Sequence, residues 1–438
     1  MNFLHLIFFA VLLIMLLMGF PVAFTLGGVS FLFGIFTFGL NFFNLLPMRV
    51  WGIMNNYILL AVPLFIYMGV MFEKSGLAEE LLETMALLFG KLRGGMAISV
   101  LVVGALLAAA TGIVGATVVT MGVLTLPTML KKGYNPEVAT GIISASGTLG
   151  QIIPPSIVLV LLGSVLNISV GELFVGAVVP GFLLVFLYLV WIISVSIFRP
   201  KLAPAMPTED LIKFKNSNKT KKVAIAFIAP FVLITAVLGS IFAGVASPTE
   251  AAAVGAIGAT ILTALRGKFN KSILQEVMIR TMTLTSMTFM ILVGAAAFGL
   301  VFRGMGGDHV LTNLILQNNI EPHHFLMIVM FIIFIAGFFI DFIEITFIIV
   351  PVVAPIFVHL GIDLLWIGIL IAVNLQTSFL TPPFGFALFF LKGVAPEGIT
   401  TKHIYKGVLP YVIVQIIGLS LLIAFPELVL WLPRYLGY

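Results

Sequence analysis

Two apolar segments of this chain are each interrupted by a pair of consecutive prolines, and this feature limits the possible folds more than any other. The segment at 144–163 contains Pro154 and Pro155, and the segment at 374–393 contains Pro382 and Pro383. Each proline removes a backbone donor and clashes with an earlier carbonyl group, so the proline pairs break both helices. In lipid, the freed backbone groups need partners inside the protein or in a water-filled cavity. Each break is therefore a candidate site for an ion or a substrate.

The composition indicates a membrane protein. Hydrophobic residues make up 61% of the 438 residues and charged residues only 9%, whereas soluble domains average about 25% charged residues. A spanning helix needs about 20 residues. We therefore expect an all-α polytopic membrane protein in the lipid bilayer, with about ten spanning helices and two re-entrant hairpins.

The proline pairs belong to an internal repeat, because they are 228 residues apart and other residues recur at the same offset. The matching pairs include Pro127 with Pro355 and Gly133 with Gly361. Paired breaks in corresponding halves are the best sequence indication of the binding site of a secondary transporter. The alternative is two kinked helices that merely pack together.

The repeat predicts two halves joined by a hydrophilic linker. The first half, 1–198, holds two N-terminal spans and the first repeat, which has a hairpin at 96–130 and a broken helix at 137–165. The linker, 199–222, contains seven Lys and Arg residues. The second half, 223–438, holds the second repeat, with these two elements: a hairpin at 325–360 and a broken helix at 364–391.

The distribution of basic residues predicts the topology. The first hairpin is basic at both ends, which places both ends on one face and the tip, 111–117, at the membrane centre. Two full spans with a short turn are the alternative. With this topology 19 of the 22 Lys and Arg residues share one face, and the exceptions are Arg49, Arg303 and Arg434. The positive-inside rule makes the basic face cytoplasmic and both termini periplasmic. Five membrane crossings separate equivalent points of the two repeats. Because this number is odd, the second repeat is inverted in the membrane relative to the first.

Two amphipathic segments, Leu77–Leu92 and Phe269–Arg280, are predicted to lie along the membrane surface. Each precedes a further apolar segment of its half. We expect them to act as arms between a moving part and a stationary part.

Polar residues near the breaks and the hairpin tips define two candidate sodium sites, because sodium takes oxygen ligands. The first site combines Thr111, Gly112, Gly115, Ser144, Ser146, Gly147, Thr148 and Gly150. The second combines Asp341, Glu344, Thr346, Asn374, Thr377, Ser378 and Thr381. For each hydroxyl, the alternative role is a hydrogen bond to its own helix.

Asp341 and Glu344 are stronger candidate sodium ligands than any of the hydroxyl groups. A carboxylate within the membrane is energetically costly, so it is by default a functional group. An ion pair or a capping role at the hairpin tip is the alternative. The two could also act as the acid pair of an intramembrane enzyme, but the repeated prolines would then have no explanation. We expect no catalytic residues.

The substrate is expected between the two sodium sites, near the membrane midplane. The half-helices that begin near Pro155 and Pro383 present free amides, which attract carboxylates. The candidate substrate contacts are Thr117, Ser156, Thr346 and Gly385. No buried arginine is evident in either repeat, so we expect recognition by amides and hydroxyls. The sequence has no phosphate-binding loop and no metal-binding histidine pattern, so sodium is the only metal and no cofactor is expected. The basic residues lie in loops, which gives no indication of a nucleic-acid partner.

Three stretches carry a resemblance to a known family: GFPVAFTLG from Gly19, SASGTLGQIIPPS from Ser144 and NLQTSFLTPPFG from Asn374. Together with the two hairpins, they resemble the large membrane subunit, the DctM-type permease, of tripartite ATP-independent periplasmic (TRAP) transporters. The resemblance covers nearly the whole chain.

The resemblance implies a sodium-coupled importer of C4-dicarboxylates, sialic acids or related organic acids in the bacterial inner membrane, working by an elevator mechanism. It also implies two partners, a small four-helix membrane subunit, expected as a separate chain, and a periplasmic substrate-binding protein. The alternative is a stand-alone sodium–organic-anion symporter, which would transport without any binding protein.

The predicted topology can be tested by labelling. A single cysteine introduced as Ser217→Cys in the basic linker is expected to react with an impermeant maleimide only from the cytoplasmic side. The chain has no cysteine of its own to compete. Labelling from the periplasm would overturn the predicted orientation.

Overall fold

A computed structural model describes residues 4–206, 220–307, 310, 320–382 and 385–438, and every regular element in these ranges is a helix. Most of the predicted linker, including Ser217, lies outside the described residues, and so does Pro383 of the second break. The α-helices before the linker are α1 (Leu4–Leu17), α2 (Val22–Phe38), α3 (Leu46–Met54), α4 (Ala61–Lys74), α5 (Leu77–Phe89), α6 (Gly95–Thr111), α7 (Val114–Lys131), α8 (Pro136–Thr148), α9 (Ile157–Leu166) and α10 (Val170–Phe198).

Ten further α-helices are described after the linker. They are α11 (Thr220–Phe242), α12 (Pro248–Leu265), α13 (Lys271–Gly304), α14 (Pro322–Ala336), α15 (Phe342–Ile348), α16 (Val350–His359), α17 (Leu364–Leu380), α18 (Phe386–Val394), α19 (Thr401–Ala424) and α20 (Glu427–Leu436). Six described helices are long and apolar enough to span a bilayer, or seven when the bent pair α15–α16 is counted as one. The other apolar helices, including both broken ones, are shorter, so the total of about ten spans stays a prediction.

One group of helices, called here the scaffold, consists of α1, α2, α4, α11, α12 and α13 and the short helix α3. Helix α4 packs against α12 and α13, and α2 packs against α13. Hydrogen bonds reinforce the α4–α12 contact, because the Tyr67 and Thr260 hydroxyls lie 3.0 Å apart and Thr263 donates to the Met71 carbonyl. The scaffold is therefore joined by polar bonds as well as by apolar packing.

The second group, called here the body, contains both hairpins and both broken helices. The first half of each broken helix packs on the long helix that follows the other one, so α8 contacts α19 and α17 contacts α10. The second halves also cross over, since α18 packs against α7 and α9 packs against α15 and α16. A Cβ atom at Gly141 would lie only 2.1 Å from the Gly407 carbonyl oxygen, which shows how closely α8 and α19 approach. The two repeats are thus interlocked rather than placed side by side.

The two hairpins have different turns. Helices α6 and α7 are joined through Gly112, whose φ of 61° lies in the left-handed region that favours glycine. In the second hairpin α14 is followed by α15 and α16, which are bent by 50° relative to each other. The connection runs through 337–341, so Glu344 and Thr346 lie within α15 rather than in a loop.

One predicted surface helix is wrong. The segment Phe269–Arg280 does not end before the next span, because α13 continues without a break from Lys271 to Gly304. No glycine or proline occurs from 271 to 293 to interrupt it. At about 1.5 Å per residue the helix is roughly 50 Å long, which exceeds the roughly 30 Å hydrocarbon core. The other predicted surface segment forms α5, which follows a turn at Gly76 with a φ of 71°.

Ion pairs join helix ends on the basic face. Lys74 pairs with Glu276, and the Arg280 guanidinium lies 3.3 Å from the Glu73 carboxylate. These contacts tie the end of α4 to the first turns of α13. Glu80 on α5 pairs with Arg266 at the end of α12. The extended end of α13 is therefore anchored to the scaffold, whereas α5 is joined to the scaffold and also packs on α6 of the first hairpin.

Candidate functional site

The first proline break separates α8 from α9, and most of its hydroxyl groups bond to nearby backbone carbonyls. Thr148 donates to the Ala145 carbonyl at 2.9 Å, and Ser146 donates to the Ile143 carbonyl at 3.2 Å. Ser156 donates to the Gln151 carbonyl at 2.7 Å. The exception is Ser144, which is buried and whose hydroxyl has no partner among the described residues. The intrahelical alternative therefore holds for most of these hydroxyls, although each retains lone pairs.

The tip of the first hairpin lies against this break. A Cβ atom at Gly112 would be 3.4 Å from the Pro155 carbonyl oxygen, and one at Gly150 would be 3.2 Å from the Ala108 carbonyl oxygen. The Thr111 and Thr117 hydroxyls lie 2.9 Å apart in the tip. Because the break is at the middle of the α8–α9 unit, the tip reaches the middle of the body.

Two glycines of the predicted first site have different neighbours. Gly147 packs against Val118 of α7, within the same repeat. Gly115 instead faces the other repeat, since a Cβ there would lie 2.8 Å from the ring of Phe390 on α18. The first site therefore brings together the hairpin tip and the break, while Gly115 lies at the contact between the repeats.

The second break, between α17 and α18, meets the second hairpin in the same way. A Cβ atom at Gly337 would lie 2.1 Å from the Ser378 hydroxyl oxygen, so hairpin and broken helix touch at that point. The Phe342 and Phe379 rings are 6.4 Å apart at the tip. Asn374 donates to the Met330 carbonyl of α14 at 2.6 Å. Three hydroxyl groups of the broken helix donate to carbonyl groups of the same helix: Thr377 to Val373, Ser378 to Leu375 and Thr381 to Thr377.

The two acidic residues have different surroundings. Asp341 is half-buried and caps α15, because its carboxylate accepts from the Phe342 amide at 2.7 Å. Glu344 is 6% exposed, and its Oε2 has no hydrogen-bond partner among the described residues. Asp341 therefore has the capping role given above as its alternative, whereas Glu344 has an unsatisfied carboxylate oxygen.

Three buried oxygen atoms in the two sites have no partner among the described residues: those of Ser144, Glu344 and Thr346. A buried polar group without a hydrogen bond costs about 1–3 kcal/mol, and such groups are rare in folded proteins. All three belong to the set selected from the sequence. A cation that takes oxygen ligands, or water, would relieve this cost.

A polar cluster that the sequence analysis missed joins the two sites. Gln376 lies 3.5 Å from both the Thr148 and Tyr188 hydroxyls. Thr148 and Gln376 are 228 residues apart and so occupy equivalent positions of the two repeats. Equivalent residues that touch lie at the pseudo-twofold axis. Gln151 and Gln415 are fully buried, and the amide group of Gln151 lacks a partner among the described residues. The sequence signal that could have identified this cluster is a glutamine within an apolar segment.

Two of the predicted substrate contacts, Ser156 and Gly385, lie at the starts of the half-helices, and the other two, Thr117 and Thr346, lie within the hairpin helices α7 and α15. Ser156 caps α9, since the Leu159 amide donates to its hydroxyl. Gly385 precedes α18, and a Cβ there would lie 2.7 Å from the Phe379 carbonyl oxygen. Thr117 bonds to the Ile113 carbonyl at 3.0 Å, whereas the hydroxyl of Thr346 has no partner. Ser156 and Gly385 therefore border the two breaks.

A cavity of about 560 Å³ between the scaffold and the body was not predicted. Arg49 and Arg303 line it, together with Asn56 and Ser164. The Asn56 amide donates to the Ser164 hydroxyl at 2.9 Å, which joins the scaffold side to α9. The two arginines are far apart in sequence and lie outside the repeats' breaks, so no local pattern pointed to them.

Comparisons with known proteins give a family and a fold. The family model described as "Tripartite ATP-independent periplasmic transporter, DctM component" matches residues 9–428. The C4-dicarboxylate TRAP transporter large permease protein DctM of Vibrio cholerae is 31% identical, with 96% of each chain covered. The sialic acid TRAP transporter large permease protein SiaM of the same organism is 29% identical, with 97% of each chain covered.

A third relative has a different substrate in its name. The ectoine TRAP transporter large permease protein TeaC of Halomonas elongata is 27% identical over 95% of this chain and 96% of its own. Among solved structures, the YdaH transporter of Alcanivorax borkumensis superposes with a TM-score of 0.61 at 17% identity, covering 92% of this chain and 91% of that one. The superposition shows that the two chains share a fold.

The contact between the second hairpin and its break can be tested with Gly337→Ala. The added Cβ atom would collide with Ser378, and overpacking of this kind costs about 1–3 kcal/mol. We expect a lower melting temperature of the purified protein. Adding Ser378→Gly removes the colliding atoms and should recover most of the loss, apart from the roughly 1 kcal/mol cost of glycine in a helix.

The matched control is Gly393→Ala, because a Cβ at that position has no heavy atom within 4 Å. It should leave the melting temperature nearly unchanged. An equal loss in the two alanine variants, or no recovery in the double variant, would show that hairpin and break are not in contact.

Proposed function

This chain belongs to the DctM family, the large permease component of tripartite ATP-independent periplasmic transporters, and from that premise we propose that it imports a small organic acid together with sodium. Like its named relatives, it is a multi-pass membrane transporter subunit and not an enzyme. The relatives are named for C4-dicarboxylates, sialic acid and ectoine. A carboxylate is common to these compounds, so we propose a small carboxylate as the substrate.

One observation supports sodium coupling more than any other. Each hairpin tip lies against a proline break, and buried oxygens near these contacts lack partners among the described residues. Oxygen ligands suit a hard cation such as sodium, and broken membrane helices are where secondary transporters bind their coupling ions. We propose that Glu344 contributes the charged ligand of the second site and that main-chain carbonyls contribute most of the rest.

The same arrangement supports an elevator mechanism as our proposal. The interlocked repeats form one body, in which α7 contacts α18 and α9 contacts α15. A body joined in this way moves as a unit more easily than either repeat alone. Sliding along the membrane normal would expose the substrate site to each face in turn, while α5 and the long helix α13 stay with the scaffold.

The partners and the membrane placement follow from the family. We propose a small four-helix membrane subunit and a periplasmic substrate-binding protein, with the transporter in the bacterial inner membrane and both termini on the periplasmic side. Transport that proceeds equally well without any binding protein would instead identify a stand-alone symporter.

Sodium coupling is tested by uptake into proteoliposomes that contain this chain, its small subunit and the loaded binding protein. Uptake is expected to need an inward sodium gradient, since the membrane potential supplies roughly 2.3 kcal/mol per charge per 100 mV. Glu344→Gln keeps the shape but removes the charge, so we expect the half-saturating sodium concentration to rise roughly tenfold or more.

The control is Glu427→Gln, because Glu427 is an exposed carboxylate that pairs with Arg434. It should leave the sodium dependence as it is in the unaltered chain. Equal uptake with potassium in place of sodium would refute the coupling. An unchanged sodium dependence in Glu344→Gln would remove Glu344 from the site.

A further inference from the structure

The cavity between scaffold and body is large enough for a small organic ligand. Its volume of about 560 Å³ falls within the range of roughly 300–1,000 Å³ typical of ligand sites. Helices α3 and α13 form the scaffold side, and α9, α15 and α16 form the body side. Apolar side chains such as Leu292, Phe298 and Phe347 cover much of the wall, and the polar contributions come from a few residues.

The charges in this cavity are unusual for the face on which it lies. In the predicted topology only three Lys or Arg residues are on that face. Arg434 is neutralised by the Glu427 carboxylate at 2.7 Å. The other two, Arg49 and Arg303, both line the cavity. Among the described residues no carboxylate pairs with either of them, so the positive charge of the face is concentrated at this one opening.

Both arginines are exposed at the cavity, and the hydrogen bonding of Arg303 leaves it able to take a ligand. Arg303 donates from Nε to the Gly299 carbonyl at 3.3 Å, one turn earlier on α13, which fixes the side chain along its own helix. Its terminal nitrogens make no hydrogen bond to another described residue. A guanidinium group meets a carboxylate through two parallel hydrogen bonds, and such a pair is stronger and more directional than a lysine contact.

We propose that this cavity is an entry site for a small organic dianion, in which Arg49 and Arg303 each bind one carboxylate group. The inference rests on the proposed function and narrows its substrate class to dicarboxylates. A zwitterion such as ectoine would bring a positive charge towards two guanidinium groups and is disfavoured. The apolar wall suits the carbon chain between two carboxylates.

The position of the cavity gives the site its role. Both arginines belong to the scaffold side, while Ser164 on α9 belongs to the body. The hydrogen bond from Asn56 to Ser164 crosses between the two at the cavity wall. The scaffold therefore attracts the anion from the periplasmic side and presents it to the body. When the body slides inward, the arginines stay behind, which favours release of the anion to the deeper site.

The test uses the complex of this chain with its small subunit, purified without the binding protein. Succinate, glutarate and adipate serve as dianion probes of increasing length, and ectoine serves as the zwitterion probe, each titrated by calorimetry at a fixed sodium concentration. At least one dianion is expected to bind, and more tightly than ectoine. Arg49→Gln and Arg303→Gln should each weaken that binding roughly tenfold or more, the loss expected for a charge-assisted hydrogen-bonded pair.

Three controls make the result specific. Arg434→Gln, on the same face but outside the cavity, should leave dianion binding within about twofold of the unaltered chain. Arg303→Lys keeps the charge and loses the paired hydrogen bonds, so it should fall between the unaltered chain and Arg303→Gln. The half-saturating sodium concentration should be the same in all these variants, because neither arginine is among the candidate sodium ligands.

Several results would overturn the proposal. Binding of no dianion, or dianion binding that neither glutamine variant weakens, would show that the arginines are not the anion site. Loss of uptake in these variants only when the binding protein is present, with unchanged dianion titrations, would assign the arginines to docking of that protein. Sodium-coupled uptake that survives both variants would leave the proposed function intact and refute this site alone. Sodium-independent uptake with intact dianion binding would refute the proposed sodium coupling and leave this site intact.

Discussion

The structure depends on a constraint on backbone hydrogen bonding: a helix broken inside a bilayer frees amides and carbonyls that lipid cannot satisfy. Each of the two breaks in this chain is met by a hairpin tip of its own repeat, which brings glycines and hydroxyls into contact with the exposed backbone. Near these contacts a few buried side-chain oxygens have no partner among the described residues. Those oxygens are the chemical basis of the proposed ion sites.

The interlocking of the repeats follows from the same breaks. A half-helix is too short to bury itself against its own repeat alone, so α9 and α18 each pack on the hairpin of the other repeat. Thr148 and Gln376 meet at the pseudo-twofold axis between the breaks. The two candidate ion sites are therefore built into one packed unit.

The proline pairs were sufficient to predict the two broken helices, because this signal is local. The continuous helix α13 was missed because an amphipathic pattern was taken to be a separate surface helix, although no glycine or proline ends it at Arg280. The axial contact of Gln376 and the cavity lined by Arg49 and Arg303 depend on residues brought together from distant segments. Such pairings are set by tertiary packing, which no single segment encodes.

The central claim, that one body moves against the scaffold, is tested most directly by disulfide crosslinking in the cysteine-free chain. Oxidation of Asn56→Cys with Ser164→Cys joins scaffold to body, and it should stop uptake until a reductant is added. Oxidation of Gly122→Cys with Leu391→Cys joins α7 to α18 within the body, where a Cβ at Gly122 would lie 2.9 Å from Leu391, and it should leave uptake intact. Full uptake by the completely oxidised Asn56–Ser164 pair, or arrest by the pair within the body, would contradict the account.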